Sequence, residues 1–292
     1  MIIIDNYSKP IYIIFDYCQL INNFILDETK VNKSGLVFIL ISWYNSNKAN
    51  KIVNSNSDYN IVILANSRKE ETFFKQKNIP NVLFCNHNAF INENKFYIIN
   101  KNSLRQYDMV IDSAFHEYKN VKMSRGIKNI LHIGYLKKDE INEKYIPDFG
   151  VLPNFNNKNY KRLNKNEIND YYNQSLVGGI FSECEGACFA SSQYLLAGLP
   201  VISINSVGGR DIWYNKDNSI ICENLTEDSI CEALEIAKQK LQTGEFNREK
   251  IRNIHLKQMD EHRNTIINYI QDFLGNDEKV DVISIKKQMA FF

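Results

Sequence analysis

The chain alternates short, almost unbroken apolar runs with longer stretches in which apolar residues recur at helical spacing. Residues 10–17 (PIYIIFDY) read as a strand, and 34–54 as a helix capped by Ser34 that takes in the longest apolar run, 36–43. Strand 59–65, helix 67–78 capped by Ser67 and strand 81–85 follow. A second series has strand 107–113, a short helix near 119–125, strand 128–135, an apolar segment 149–153 and helix 164–175. It continues with strand 176–182, helix 186–197, strands 200–204 and 219–223, helix 226–242 capped by Thr226, and a long helix over about 246–273 with a polar tail. Unalternated apolar runs are the mark of strands buried on both faces, and the βαβα order calls for parallel sheets wrapped by helices.

The irregular stretch 86–106 divides the two series. The pattern therefore predicts an α/β chain of two Rossmann-like domains facing a cleft: 1–102, with a reduced sheet, and 103–272, followed by a tail at 273–292.

Composition narrows the function. With 35 basic and 34 acidic residues the net charge is +1, so no basic face is expected for nucleic acid. The opening MIII lacks a basic flank and meets Asp5 at once, and no apolar run reaches the length of a membrane span. The six cysteines form no CxxC pair, which suits reduced thiols in a cytoplasmic protein. His116, Glu117 and His132 lie near two strand ends, but they lack a further ligand set, and no metal is expected.

The chemistry should sit at the carboxyl ends of the parallel strands. There the stretch SECEGACFASSQYLLAGLPVIS (182–203) places Glu183 and Glu185 in a run of small residues between strand and helix. The backbone N–H groups of Gly186, Ala187 and Cys188 would open the helix and suit an anionic or hydroxyl-rich ligand. Glu185 stands ready to accept from hydroxyls, although acids at a helix start also occur for the dipole alone. At the end of the next strand a second loop, NSVGGRDIWY (205–214), carries Gly208 and Gly209. Near the amino terminus, NKSG (32–35) reads as a helix cap, with Asp27 and Glu28 beside it.

The segment EGACFASSQYLLAGLPVISINSVGGRD resembles the donor-sugar segment of GT-B glycosyltransferases of the family-4 type, which read approximately E-G-F-G-x-x-x-x-E-A-x-x-x-G-x-P-V-I followed by a Gly-Gly loop. The segments 64–90 and 107–120 are similar to a branch that builds bacterial surface polysaccharides. The resemblance implies that Glu185 contacts the donor sugar, helped by the amides that follow, and that Gln193 takes the second E-x7-E position, where a carboxylate usually holds the ribose. It places Lys119 as one cation for the departing diphosphate. The position five residues earlier, often arginine, is Ala114, so the second cation falls to Arg210, or after it to Arg125. No Asp-x-Asp occurs, so the donor would be handled without metal or other cofactor. Glu185, Lys119 and Arg210 form the implied catalytic set, and Gly186, Ala187, Cys188, Gln193, Gly208 and Gly209 bind donor.

The expected reaction is transfer of a sugar from a nucleotide-sugar donor to a glycan or glycolipid acceptor, with retention of configuration, in capsule or lipopolysaccharide synthesis. It would run in the cytoplasm, at the inner face of the membrane if the protein touches that surface. An inverting enzyme would need a general base, for which His87, Asp27 and Glu28 are the candidates. A nucleotide-sugar epimerase of the same fold, or a non-catalytic binder, stays open on these residues.

Overall fold

The computed structural model describes residues 1–99, 105–135, 143–156 and 159–292. The predicted division at 102–103 touches residues outside these. Contacts group the chain into two units: 1–92 with 208–210 and 258–292, and 93–207 with 211–257.

The first unit is built on a five-stranded sheet, β1 (Ile2–Ile4), β2 (Ile11–Phe15), β3 (Leu36–Leu40), β4 (Asn60–Ala65) and β5 (Val82–Phe84), in that spatial order. β1 runs antiparallel to β2, and the remaining neighbours are parallel. Helices α1 (Ser46–Ser55) and α2 (Arg68–Gln76) make the crossovers. The Ser67 cap is as expected, its hydroxyl accepting from the Glu70 N–H at 3.1 Å.

The single helix read over 34–54 is instead a strand and a helix. Residues 36–40 are buried on every side and pair with β2 and β4, a state that a five-residue apolar run with no helical stripe fits equally well. Ser34 caps nothing: it closes a turn on the Asn32 side chain. The chain reverses through Tyr44 (φ +47°), and Asn45 caps α1. Alternate residues of β2, β3 and β4 then feed two cores. Ile13, Phe38 and Leu64 lie in one, with Ile266, Ile270, Ile285 and Met289. Ile14, Ile39 and Ile63 lie in the other, with Ala49, Ile52 and Phe74.

The tail read as polar also differs. It contains α7 (Val282–Met289), capped by Asp281, and its Ile285 and Met289 are fully buried in the first core. Burial of such side chains is worth about 1.5–3 kcal/mol each.

The second unit carries an all-parallel sheet of β6 (Tyr107–Ala114), β7 (Ile130–Tyr135), β8 (Ser175–Ile180), β9 (Val201–Ile204) and β10 (Ser219–Cys222), ordered β10–β9–β8–β6–β7. Its helices are α3 (Lys165–Asn173), α4 (Phe189–Leu196) and α5 (Glu227–Thr243), the last capped by Thr226 as expected. Helix α6 (Arg248–Leu274) starts in this unit and ends in the first. From β6 the chain steps outward to β7, then returns to β8 on the other side of β6 and goes on to β9 and β10. The order reverses at β6 and β8, and in such sheets ligands bind beyond the carboxyl ends at that point. No helix among the described residues is long and apolar enough to cross a membrane.

Candidate active site

A cavity of about 990 Å³ opens at that reversal, and Asp112, Lys119, Glu185, Cys188 and Gln193 share its wall. Lys119 stands on a short turn after β6, and Asn120 closes that turn in the left-handed region (φ +51°). The Asn120 amide donates to the Phe181 carbonyl at 3.0 Å, which ties the turn to the end of β8. Across it the Lys119 ammonium donates to Glu185 Oε1, and the Ser182 hydroxyl donates to Oε2. The two charged side chains are only 10% and 15% exposed. Burial alone would lower the Lys119 ammonium; Cys188 and Glu185 outweigh it and hold the group above its usual range. Lys119 is thus a fixed cation at any physiological pH.

Helix α4 begins at Phe189, three residues later than the sequence suggests. Cys188 is its N-cap residue and has φ +54°, without a side-chain capping bond. Gly186 and Ala187 therefore lie in the loop before the helix. Cys188 falls on the second glycine of the E-G-F-G pattern and keeps the left-handed backbone that such a glycine allows, with a side chain in place.

Gln193 projects from α4 into a network the sequence does not announce. The Tyr172 hydroxyl lies 2.6 Å from Asp112 Oδ2 and 2.9 Å from the Gln193 amide. A phenol has one proton, so the Tyr172 hydroxyl donates to one of these two oxygens at a time, Asp112 Oδ2 being the nearer and Gln193 Oε1 the farther. The Asp112 N–H donates to the Tyr194 hydroxyl at 2.6 Å, and the rings of Tyr172 and Tyr194 meet edge to face at 4.8 Å. Gly178 on β8 makes room for this: a Cβ there would collide with the Tyr194 ring. Burial pushes the Asp112 carboxyl up to about 6, against the opposing pull of the Tyr172 hydrogen bond and the Lys119 charge.

Sequence reasoning missed Asp112, Tyr172 and also Arg162, which lines the same cavity. The available signals were an acid inside an apolar strand and a tyrosine on the buried stripe of α3.

The other residues singled out from sequence lie elsewhere. Gly208, Gly209 and Arg210 belong to the first unit, where Arg210 is fully buried. The Asn86 amide donates to both Asn66 O and Gly209 O at 2.9 Å, and a Cβ on Gly209 would stand 2.6 Å from the Asn66 Cβ. His87 is buried in the same unit with Nε2 3.2 Å from the Leu64 carbonyl, and burial lowers it to about 4. Asp27 and Glu28 border a different cavity of that unit, of about 840 Å³. Hydrogen bonds from Lys30 and Thr29 lower Asp27 to about 2. Arg125 is committed to the surface, bonded to Asp148 at 2.6 Å over the Phe149 ring. Among the described residues no three His, Cys, Asp or Glu side chains are grouped to hold a metal.

The two Rossmann-like units and the strand reversal define the GT-B glycosyltransferase fold. Solved structures agree on it. HepE from Anabaena, crystallised with UDP, superposes with a TM-score of 0.59 at 12% identity over 88% of this chain and 71% of that one. TarM gives 0.59 at 14% identity, over 85% of this chain and 52% of that one, so this chain spans about half of TarM. Sucrose-phosphate synthase from Thermosynechococcus elongatus gives 0.56 at 11% identity, over 90% and 67%. No family model matches the chain, and no curated protein matches it in sequence.

Proposed function

We propose that the protein is a glycosyltransferase that takes a sugar from a nucleotide-sugar donor held in the second unit. The observation that carries this is the Lys119–Glu185 pair at the sheet reversal of a GT-B chain. The anomeric C–O bond to phosphate breaks and leaves a nucleoside diphosphate, while the acceptor hydroxyl bonds to the same carbon and gives its proton to the departing phosphate oxygen. Lys119, released from Glu185 when the donor enters, balances the phosphate charge, and the freed carboxylate accepts from sugar hydroxyls. A permanent cation makes metal assistance unnecessary. Arg162, on the same cavity wall, is the proposed second cation, the role the resemblance gave to Arg210.

HepE is known with UDP and with UDP-glucose, which supports a uridine donor here. Retention of configuration, a glycan or glycolipid acceptor in surface-polysaccharide synthesis, and work in the cytoplasm with peripheral contact to the membrane complete the proposal.

The test is calorimetric titration with UDP, GDP, CMP and their sugar conjugates, followed by assay of donor hydrolysis. Binding with slow hydrolysis that Glu185→Ala abolishes is expected. No binding to any of them overturns the proposal, and tight binding with no turnover leaves a binder.

A further inference from the structure

We propose that Asp112 supplies the carboxylate that holds the donor's ribose diol, in place of the neutral Gln193; the inference rests on the donor site proposed above. Two hydroxyls on adjacent carbons are best gripped by an acceptor with two oxygens and a charge, and the Gln193 amide is neutral with a single oxygen. Its polar end is engaged by Tyr172. The same phenol touches Asp112 Oδ2, so a single hydroxyl bridges the E-x7-E position on α4 and a carboxyl group on β6. The charge absent from one element is present on the other, one side chain away.

Three further observations suit Asp112 to the task. It lies near the carboxyl end of β6 at the sheet reversal and lines the cavity that holds Lys119 and Glu185. Its Oδ1 has no hydrogen-bond partner among the described residues, and the Asp112 N–H is anchored on Tyr194, which fixes the strand end. Ser113, next along, brings to the same cavity a hydroxyl that is buried and has no partner among the described residues. A carboxylate and a hydroxyl with unused capacity in a cavity wall gain from a ligand that brings donors. Tyr172 is the positioning residue of this arrangement.

The experiment compares UDP with 2′-deoxy-UDP, and GDP with 2′-deoxy-GDP, by calorimetry on the full chain. Wild type is expected to favour the ribonucleotide about tenfold or more, the worth of one charge-assisted hydrogen bond. Asp112→Asn should erase that preference while leaving the deoxynucleotide affinity within about twofold. Adding Gln193→Glu to Asp112→Asn should restore it by returning the charge to α4. Gln193→Leu, which leaves Asp112 in place, should keep it, and this variant decides the matter if Asp112→Asn does not fold. Equal affinity of wild type for both sugars overturns the inference, as does a folded Asp112→Asn protein that keeps its preference, or a Gln193→Leu protein that loses it. Failure of wild type to bind either ribonucleotide overturns the donor reading itself, and this inference with it.

Discussion

His87 and Asp112 are ionisable groups near the carboxyl ends of parallel strands, one in each unit, the first buried and the second half-buried, and their surroundings could hardly differ more. Around His87 the polar groups are largely bonded to one another. Its N–H donates to Asn66 Oδ1, its Nε2 meets the Leu64 carbonyl, the Asn86 amide spans Asn66 and Gly209, and the Glu70 carboxylate accepts the backbone N–H groups of Tyr44 and Asn66. Around Asp112 its Oδ1 and the Ser113 hydroxyl have no partner among the described residues, and a large cavity adjoins them. A shifted titration is common to both groups. Unused hydrogen-bonding capacity beside space is what separates a site from a packed polar core.

The largest consequence is catalytic. Glu185→Gln and Lys119→Met should each lower kcat by about 10²–10³, the usual loss when one preorganised electrostatic contact is removed from a transition state. His87→Gln, which can still donate to the Leu64 carbonyl, should change kcat by less than about threefold. Steady-state kinetics on the three variants checks this. An equal loss in the histidine variant would break the comparison and restore His87 as a base.

The same two groups should pull stability in opposite directions with pH. Asp112 has a folded-state value of about 6 against an ordinary 3.8, so the folded state holds its proton more tightly. Its contribution is greatest below about pH 4 and is lost as pH rises through about 6. His87 is lowered from 6.5 to about 4, so its contribution is full above 6.5 and is lost as pH falls through about 4. Urea denaturation of wild type, Asp112→Asn and His87→Gln at pH 4, 5, 6 and 7 resolves the two. Relative to Asp112→Asn, wild type should gain about 2 kcal/mol from pH 7 to pH 4; relative to His87→Gln, it should lose a similar amount. A change of the same sign for both would mean that one environment has been misassigned.

Asn86 measures the cost of opening the closed region. Asn86→Ala removes the donor shared by two buried carbonyls, which should cost about 1–3 kcal/mol in urea denaturation. Nucleotide affinity should stay unchanged, since the donor groups lie on the other unit. A variant that loses affinity at unchanged stability would show instead that Asn86 serves the ligand.

These contrasts were unequally legible in the sequence. Strand positions in the second unit, the caps Ser67 and Thr226, and the loop that holds Glu185 follow from local patterns, because apolar runs and capping residues act over a few neighbours. Residues 36–40 were not legible, since five apolar residues fit a strand or a buried helix and only pairing with β2 and β4 decides. Asp112 was not legible either. Its partner Tyr172 is sixty residues away, and nothing local shows that a phenol will meet an acid inside a strand. The distinction between His87 and Asp112 thus rests on long-range contacts.

The smallest effect tests the loop between Glu185 and α4. The sequence pattern places the start of α4 near Gly186, directly after strand 176–182 and a tight turn. The chain instead spends three more residues and turns through Cys188 at φ +54°, where a Cβ crowds the backbone. Such a residue costs about 1 kcal/mol or more unless it is glycine or asparagine. Cys188→Gly should therefore raise stability by about 0.5–1 kcal/mol in urea denaturation, a little less than the strain removed because glycine adds freedom to the unfolded chain. If the turn exists to aim Glu185 and the first residues of α4 at the cavity, its shape survives the substitution, and the UDP preference assigned to Asp112 is retained. A loss of stability on Cys188→Gly would mean that the cysteine side chain packs strongly enough to outweigh its backbone. The left-handed turn would then be held in place by this side chain, not merely endured.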